Sequence, residues 1–489
     1  MNTTLPNLGP SGRSGSPVHE DSAKSMEARA IVTTTPKTTS PDISQQQPSR
    51  PDSEPRGHIN WITAGSLLTG LVVGLLLVAA PVIPAEESEL TGALLCGFSL
   101  GWAMVALLSM RLTDQPQQWA AAPALFLGVC GLALVAMGSR VHGVLLWVWP
   151  PALLALVIWM IVRVRRELRS RSGRWLLYPV FALMALAAIG GGYETVAEAL
   201  DEDVPMPGRL IDVGGHSLHL RCSGSGSPTV VLEPGAGLMS SVSGWITPAV
   251  AQETRVCVYD RAGHGWSEPA DSPQDGAQTV TDLHTLLKRG NVPGPHVLAG
   301  HSFGGLYVQS FAAQYPDDVA GLVLLDSTER GPVALPAASP DDDSSYDILG
   351  RVSALLSSTA QLGVGRLLSG YDSLPPQSAA EAVATGPSAT NLQSTIDEYL
   401  QASTSAGQAA ALQDFGDKPI IVLTAESGSH ADKVAAHDDL AALSTNSAHR
   451  VVDGATHGGL LLDASAAAAV TQAILEVVSS IRDDEPLAQ

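Results

Sequence analysis

Residues 296–305 read His-Val-Leu-Ala-Gly-His-Ser-Phe-Gly-Gly, a short apolar strand pattern that runs into a glycine-rich turn and then a helical pattern. The turn holds the motif Gly-x-Ser-x-Gly, with Ser302 between Gly300 and Gly304. In this strand–turn–helix context the motif is typical of a nucleophile elbow. The glycines are needed because a side chain at either position would collide with neighbouring backbone. We therefore predict that Ser302 is a nucleophile, with its oxygen exposed near the positive end of the following helix.

Alternating strand and helix patterns extend in both directions from this motif, over residues 209–482. Continuous apolar runs are typical of strands in a parallel sheet that helices cover on both faces. The sequence therefore predicts an α/β domain with a mostly parallel sheet. Its strands are predicted at 209–213, 217–222, 229–233, 255–259, 296–300, 321–326, 419–424 and 449–452, and its main helices at 276–289, 304–315 and 465–481.

A serine hydroxyl needs a general base before it can act as a nucleophile. His457 follows the last predicted strand and precedes the last predicted helix. This is the position of the base when the chain order is Ser, acid, His. We therefore predict His457 as the base. His301 adjoins the nucleophile, but its side chain should point away from the site, and we predict a packing role for it.

The acid that orients this histidine has two main candidates. We prefer Asp326, because it ends the strand after the nucleophile's helix, at the edge of the sheet where strand ends face the site. The loop after strand 419–424 is the other location. There Gly428 stands where a carboxylate is expected, so Asp432 could reach the site only if the loop is unusually long. Three further carboxylates stay open as alternatives: Glu426, Asp438 and Asp439.

Two backbone amides should stabilise the negative charge that develops on the substrate oxygen. One belongs to Phe303, the residue after the nucleophile. The other is predicted at Ala236, in the turn at residues 234–237 that reads Pro-Gly-Ala-Gly after strand 229–233. Gly235 would permit the close approach of this turn. Phe303 and Ala236 are therefore the predicted oxyanion hole.

Five apolar runs precede the α/β pattern, and each is long enough for a helix to cross the roughly 30 Å hydrocarbon layer of a membrane. The sequence therefore predicts an all-α bundle of about five transmembrane helices within residues 58–193. The runs lie at about 61–83, 90–110, 119–138, 142–162 and 175–193. The other predicted segments are a disordered tail at 1–57, an acidic linker at 194–208 and a C-terminal tail at 483–489.

Six arginines lie between the fourth and fifth runs, at residues 163–174. Basic loops stay on the cytoplasmic side of a membrane. Five spans would therefore place the N-terminus in the cytoplasm and the α/β domain outside the cell membrane, whereas four or six spans would reverse one end.

The chain's negative charge is concentrated in its C-terminal part, since residues 201–489 hold 13 Lys and Arg against 35 Asp and Glu. Such an acidic domain is not expected to bind nucleic acid. The 4 cysteines and the histidines show no spacing of a zinc site, so we expect no metal. No organic cofactor is indicated, and the oligomeric state is left open.

Three blocks of the sequence resemble the α/β-hydrolase superfamily. They are the motif at Ser302, residues 232–237 (Leu-Glu-Pro-Gly-Ala-Gly) and residues 259–267 (Tyr-Asp-Arg-Ala-Gly-His-Gly-Trp-Ser). The resemblance covers residues 209–482 and implies the α/β-hydrolase fold, with residues 333–413 as a helical lid over the site. Serine rather than aspartate at the elbow argues against haloalkane dehalogenases and epoxide hydrolases.

The resemblance also bears on single residues. It implies structural roles for Asp260 and Arg261, and a carboxylate at the position of Asp326 serves as the acid in some relatives. Pro234 departs from the superfamily's usual histidine, which bears on the geometry of the oxyanion hole. The superfamily's strand order would place Cys222 beside Cys257. A disulfide there fits a domain outside the cytoplasm, and the alternative is two buried thiols.

These observations predict a membrane-anchored serine hydrolase that cleaves carboxylic ester or related acyl bonds through an acyl-enzyme. Its partners would be a small-molecule or lipid ester and the lipid bilayer. The alternative is a membrane transporter or sensor whose hydrolase-like domain binds a ligand without turnover. The scarcity of charge inside the apolar runs argues against transport, which usually needs intramembrane charges.

Overall fold

The structure, a computed structural model, describes residues 59–201, 203–331 and 343–487. The predicted disordered tail lies outside these residues. In the described part of the chain five long helices precede the sheet: α1 (Ile59–Val78), α2 (Glu87–Leu112), α3 (Ala121–Met137), α4 (Ser139–Glu167) and α5 (Arg171–Asp201). Each corresponds to one predicted apolar run.

Helix α5 continues to Asp201 and so includes the first half of the predicted linker at 194–208. The apolar run ends at residue 193, where acidic residues replace the apolar ones, so the sequence pattern predicted an earlier end for this helix. Two of those acids, Glu194 and Asp201, pair with Arg366. This pairing offsets their mutual repulsion and allows the helix to continue.

Glycines bring α1 and α2 into close contact, as is common between helices that pack in a membrane. A β-carbon at Gly97 would lie 2.3 Å from the α-carbon of Gly74, and one at Gly70 would lie 2.7 Å from that of Gly101. The two backbones therefore meet without intervening side chains. The other face of α1 exposes large apolar residues, including Leu76. This combination indicates a membrane protein.

Six helices among the described residues are long and apolar enough to cross a membrane. Five of them are α1 to α5. The sixth is the C-terminal helix α16 (Ala464–Asp483), and its apolar side chains are buried in one cluster with those of the sheet. We assign α16 to the α/β domain because a helix that covers the sheet cannot also span the bilayer.

The described residues after α5 form an eight-stranded sheet with the order β1-β2-β4-β3-β5-β6-β7-β8. Among the described strands β2 alone runs opposite to the rest, since it pairs antiparallel with β1 and with β4 and the other neighbours pair parallel. The sheet is therefore mostly parallel, as predicted. The strands are β1 (Arg209–Asp212), β2 (Ser217–Ser223), β3 (Thr229–Glu233), β4 (Val256–Tyr259), β5 (His296–His301), β6 (Val319–Leu325), β7 (Ile420–Ala425) and β8 (Ser447–Val452).

Helices cover both faces of this sheet, because the strand side chains alternate between two apolar clusters. Leu298 and Leu324 pack on one face, whereas Val297 and Val323 pack on the other. The covering helices are α6 (Thr247–Glu253), α7 (Gly276–Arg289), α8 (Phe303–Gln314), α14 (Ala431–Ala441), α15 (Gly459–Leu462) and α16. Helices α6, α14 and α15 were not predicted from the sequence, because they are short or have few large apolar side chains.

The insert between β6 and β7 is helical over its described residues, 343–413, and the start of the predicted lid at 333–342 lies outside them. Its helices are α9 (Asp343–Ser357), α10 (Val364–Leu368), α11 (Pro376–Thr385), α12 (Ala389–Leu400) and α13 (Ala402–Ala409). This segment is called the lid below. Its α13 packs on α7 and α8, at the end of the sheet where Ser302 lies.

Cys222 of β2 and Cys257 of β4 are cross-strand partners and form a disulfide bond. This is the pairing that the superfamily's strand order implied. The bond joins residues that are 35 positions apart. A cross-link of that length stabilises a folded domain by about 3–4 kcal/mol in the chain-entropy model.

Reduction of this disulfide should lower the thermal unfolding midpoint of the α/β domain by about 10 °C. Scanning fluorimetry of the full-length protein in detergent, with and without dithiothreitol, measures the shift. A Cys222→Ala/Cys257→Ala variant should unfold near the midpoint of the reduced wild type, and dithiothreitol should not change its midpoint. A Cys96→Ala/Cys130→Ala variant should respond to dithiothreitol as the wild type does. Equal midpoints with and without reductant would contradict a stabilising bond.

Candidate active site

Ser302 occupies the turn between β5 and α8 with a positive φ of 54°, which is uncommon for a residue with a side chain. Three backbone hydrogen bonds hold it there. Its N–H donates to the carbonyl of Leu325 (3.0 Å), and its carbonyl accepts from the N–H groups of Gly305 (2.9 Å) and Thr328 (3.1 Å). The residue is partly exposed. Strained backbone of this kind is typical of a nucleophile elbow.

The two elbow glycines have the steric role that the sequence predicted. A β-carbon at Gly304 would lie 2.3 Å from the carbonyl oxygen of Glu233, and one at Gly300 would lie 2.4 Å from that of Gly304. Both distances are far below van der Waals contact. The turn therefore excludes any larger residue at either position.

His457, the predicted base, and Asp326, the preferred candidate for the acid, lie together. The Nδ1 of His457 is 2.6 Å from Oδ2 of Asp326, which directly follows β6 and is buried. Burial alone would raise the pKa of Asp326. Hydrogen bonds from His457, Lys433 and the N–H of Ala425 outweigh it and hold that pKa well below its ordinary range. Asp326 is therefore ionised and can orient the imidazole.

The other carboxylates considered from the sequence lie elsewhere. Asp432 is exposed in the first turn of α14. Asp438 contacts His449 (2.6 Å), and Glu426 accepts from the N–H of Gly454 (2.7 Å). Asp439 is exposed, also on α14. Asp432 fails to reach His457 because α14 begins directly before it and holds it on an outward face.

Lys433, which was not predicted from the sequence, also contacts Asp326. Its Nζ lies 2.6 Å from Oδ2 of Asp326, the oxygen that also accepts from His457, and its side chain is only 20% exposed. The sequence carried no signal for this contact. It depends on the register of α14, where Lys433 turns inward and its neighbour Asp432 turns outward.

His301 packs as predicted and also supports the loop of His457. The two rings lie 4.6 Å apart, and the Nε2–H of His301 donates to the carbonyl of His457 (2.9 Å). Burial and the neighbouring His457 lower the pKa of His301 to about 4, so the ring is neutral. In the described part of the chain the Ser302 hydroxyl makes no hydrogen bond to the His457 ring. Such bonds often form only when substrate is present.

The turn that carries Ala236 lies directly beside Ser302. A β-carbon at Gly235 would be 3.1 Å from the β-carbon of Ser302. Ala236 packs on the buried cluster that contains Phe303. The N–H of Phe303 is free of the helix ladder because it opens α8. Both predicted oxyanion donors therefore border the same space next to Ser302.

A buried network of ion pairs and hydrogen bonds fixes the turn at residues 234–237. The Arg261 guanidinium donates to the carbonyls of Pro234 and Gly235 (2.8 Å each) and to a carboxylate oxygen of Glu398 (2.6 Å). Glu398 also accepts from the N–H of Gly237 (2.9 Å). Burial would raise the pKa of Glu398, but Arg261 and His264 lower it to about 2. The carboxylate is therefore charged and can hold the turn.

Glu398 belongs to lid helix α12 and was not among the residues predicted from the sequence. It lies 137 residues from Arg261 along the chain, and no local pattern links the two. Asp260 has the structural role implied by the resemblance, since it is buried and accepts from the N–H of Ser240 (2.6 Å). Across residues 59–201, 203–331 and 343–487, no group of three His, Cys, Asp or Glu is placed to hold a metal ion.

Comparison with known proteins places these features in a family. Residues 228–464 match the family model described as alpha/beta hydrolase fold. An uncharacterized protein of Schizosaccharomyces pombe is 30% identical over 162 residues, which are 27% of this chain and 30% of the relative. A probable transporter, efuK, of Hormonema carpetanum is 29% identical over 140 residues, 27% of this chain and 20% of the relative. The chain thus spans less than a third of the length of these curated relatives.

Among solved structures, the epoxide hydrolase CorEH without ligand aligns at 20% identity with a TM-score of 0.45, over 56% of this chain and 99% of that structure. The family match begins one residue before β3 and ends at the first residue of α16. It therefore includes Ser302, Asp326, His457 and the described lid. The α/β domain of this chain belongs to the α/β-hydrolase fold family.

Proposed function

We propose that this protein is a membrane-anchored serine hydrolase that cleaves carboxylic ester or related acyl bonds. The observation that carries the proposal is the 2.6 Å contact between Asp326 and His457, next to a serine in elbow geometry. A nucleophile, a base and an orienting acid are the three parts that acyl transfer by serine requires. Membership of the hydrolase fold family supports hydrolysis in general.

The proposed reaction has two stages. His457 takes the proton of the Ser302 hydroxyl as its oxygen attacks the acyl carbon, and the oxyanion receives hydrogen bonds from the N–H groups of Phe303 and Ala236. The ester C–O bond breaks, and the alcohol leaves with the proton from His457. Water then attacks the acyl-enzyme and gives its proton to His457. The acid leaves, and the proton returns to Ser302. The residues themselves supply every step, so no metal or organic cofactor is proposed.

We propose the cell membrane as the location, with the N-terminus in the cytoplasm and the α/β domain outside. The arginine cluster at 163–174 supports a cytoplasmic loop between α4 and α5. The Cys222–Cys257 disulfide supports an oxidising compartment for the α/β domain. The partners proposed are therefore the bilayer and a small-molecule or lipid ester, and not nucleic acid.

A screen of fatty acyl esters tests the proposal on the purified full-length protein. A series of p-nitrophenyl esters with acyl chains of increasing length, and matched anilides, would give kcat/KM for each. We expect turnover of esters well above that of anilides, because the anilide is the poorer leaving group. A folded protein that hydrolyses none of these and resists a fluorophosphonate probe would contradict the proposal.

The similarity to a probable transporter favours one alternative function. In this alternative the α/β domain binds a ligand for the membrane helices without turnover. The same fluorophosphonate experiment separates the two, because a binding module has no activated serine. The buried Glu194 of α5 is already paired with Arg366 of the lid. This pairing gives the carboxylate a structural role that needs no transported ion.

Replacement of Lys433 by methionine should shift the acid limb of the kcat/KM profile to higher pH, by about half to one unit. Lys433 shares its carboxylate oxygen with His457. Without this positive charge, the carboxylate of Asp326 interacts more strongly with a positively charged imidazole, and this moves the acid limb of the profile to higher pH. The measurement is kcat/KM between pH 5 and 9. Lys288→Met, on the exposed face of α7, is the matched control. If the acid limb of Lys433→Met stayed at the wild-type pH, this electrostatic role of Lys433 would be refuted.

A further inference from the structure

The lid is attached to the end of α1 through a buried arginine that the proposed reaction does not use. Arg351 of α9 donates hydrogen bonds to the carbonyl oxygens of Val78 (2.9 Å) and Ile83 (2.6 Å). Val78 is the last residue of α1, where carbonyls have no partner within the helix. Ala354, one turn further along α9, is fully buried in a cluster with both residues. These contacts fix α9 at this end of α1.

A second attachment joins the lid to α5. Arg366 of α10 pairs with Glu194 (2.9 Å) and Asp201 (2.6 Å), and its side chain is only 6% exposed. Just before α10, Leu362 lies so close to α5 that a β-carbon at Gly190 would be 2.2 Å from its carbonyl oxygen. The lid therefore contacts the C-terminal ends of α1 and α5, which must lie on the same side of the bundle.

These contacts lie at the level where the helices leave the hydrocarbon layer. Glu194, which pairs with Arg366 of the lid, is about 30 Å along α5 from Arg174, the last residue of the arginine cluster, and this distance matches the thickness of a layer of roughly 30 Å. Helix α1 has 20 residues, so Val78 lies about 30 Å from its start. Two helices thus independently place the lid at a membrane surface.

The lid exposes a row of apolar side chains at this level. Ile348, Val352 and Leu356 are four residues apart on α9, so they share one face, and their exposed fractions are 54%, 46% and 49%. On α10, Leu367 is 76% exposed. Helix α9 buries its opposite face through Arg351 and Ala354. Exposed apolar surface on a helix that is packed on its other side marks a contact with a membrane or with another protein.

We infer that α9 and α10 lie in the interface of the same membrane that the helix bundle crosses, with their exposed apolar side chains among the lipid acyl chains. The bilayer is the occupant because the lid packs directly on α5, at Gly190 and Glu194, and the next turns of this apolar helix also expose Tyr193, Val196 and Leu200. The lid thus forms a lipid-contacting surface above the α/β domain's site. This inference concerns a contact with lipid and does not depend on hydrolysis.

Quenching by spin-labelled lipid tests this placement. Cys96 and Cys130 are first replaced by alanine, and a cysteine at Val352 is labelled with the fluorophore NBD. The full-length protein is reconstituted in phosphatidylcholine vesicles that contain 5-doxyl or 12-doxyl phosphatidylcholine. We expect the Val352 label to be quenched about threefold more than a label at Lys288 on α7, and more by 5-doxyl than by 12-doxyl lipid, as suits an interfacial depth.

Two further labels make the result decisive. Leu76→Cys on the exposed face of α1 should be quenched by 12-doxyl lipid, which verifies reconstitution, and Leu367→Cys repeats the lid measurement on α10 if the Val352 variant misfolds. Quenching of the lid labels no greater than at Lys288 would overturn the inference. The lid labels could instead escape quenching by lipid and quench one another between protein molecules. That result would assign this surface to a contact with a second copy of the chain, and it would also overturn the inference.

Discussion

Replacement of Ser302 by alanine should reduce kcat for ester hydrolysis by about 10⁵–10⁶-fold and abolish labelling by a fluorophosphonate. The loss is expected to be this large because the hydroxyl oxygen forms the covalent bond of the acyl-enzyme. Alanine keeps the backbone at 302 and the three hydrogen bonds that hold it, since those bonds use only main-chain atoms. The folded structure should therefore survive, and the variant isolates the chemistry.

The matched control is Ser272→Ala, in an exposed loop of the same domain. It should keep wild-type turnover and labelling. The thermal unfolding midpoints of both variants should agree with that of the wild type. If Ser302→Ala kept activity within tenfold of the wild type at an unchanged midpoint, another residue would have to be the nucleophile.

Replacement of Asp326 by asparagine should reduce kcat by about 10³–10⁴-fold, whereas Asp432→Asn should leave it within about twofold. The carboxylate of Asp326 accepts a hydrogen bond from Nδ1 of His457 and stabilises the imidazolium that forms when the base takes a proton. An amide at this position supplies no charge and can present N–H to the ring, which then adopts the wrong tautomer. Asp432 is exposed and makes no comparable contribution.

Both variants are measured with the ester that gives the highest kcat/KM. The rate of fluorophosphonate labelling is a second readout, because it should fall with loss of the base but not vanish. Asp326→Asn also leaves Lys433 with a neutral partner, so its unfolding midpoint is recorded beside the kinetics. A larger loss of kcat in Asp432→Asn than in Asp326→Asn would reverse the assignment of the acid.

Features that rest on neighbouring residues could be predicted from the sequence. Gly300 and Gly304 are required by contacts within a few residues of the elbow, so the motif alone pointed to Ser302. Long apolar runs indicate helices α1 to α5 because crossing a bilayer depends on length and composition. The order of strands and helices placed His457 after the last strand. These signals are local, and they needed no knowledge of packing.

Tertiary structure decided the features that depend on distant segments or on helix register. The sequence left both Asp326 and Asp432 as candidates for the acid. The fold places Asp326 against His457 and turns Asp432 outward on α14. Lys433 and Glu398 reach the site from helices whose register no local pattern defines. The lid's attachment through Arg351 joins segments 268 residues apart. The sequence by itself predicted Ser302 as the nucleophile and His457 as the base, and it indicated the apolar helices α1 to α5. Only the three-dimensional packing decided which carboxylate lies beside His457 and where the lid packs on the bundle, because both depend on which distant side chains share a buried space.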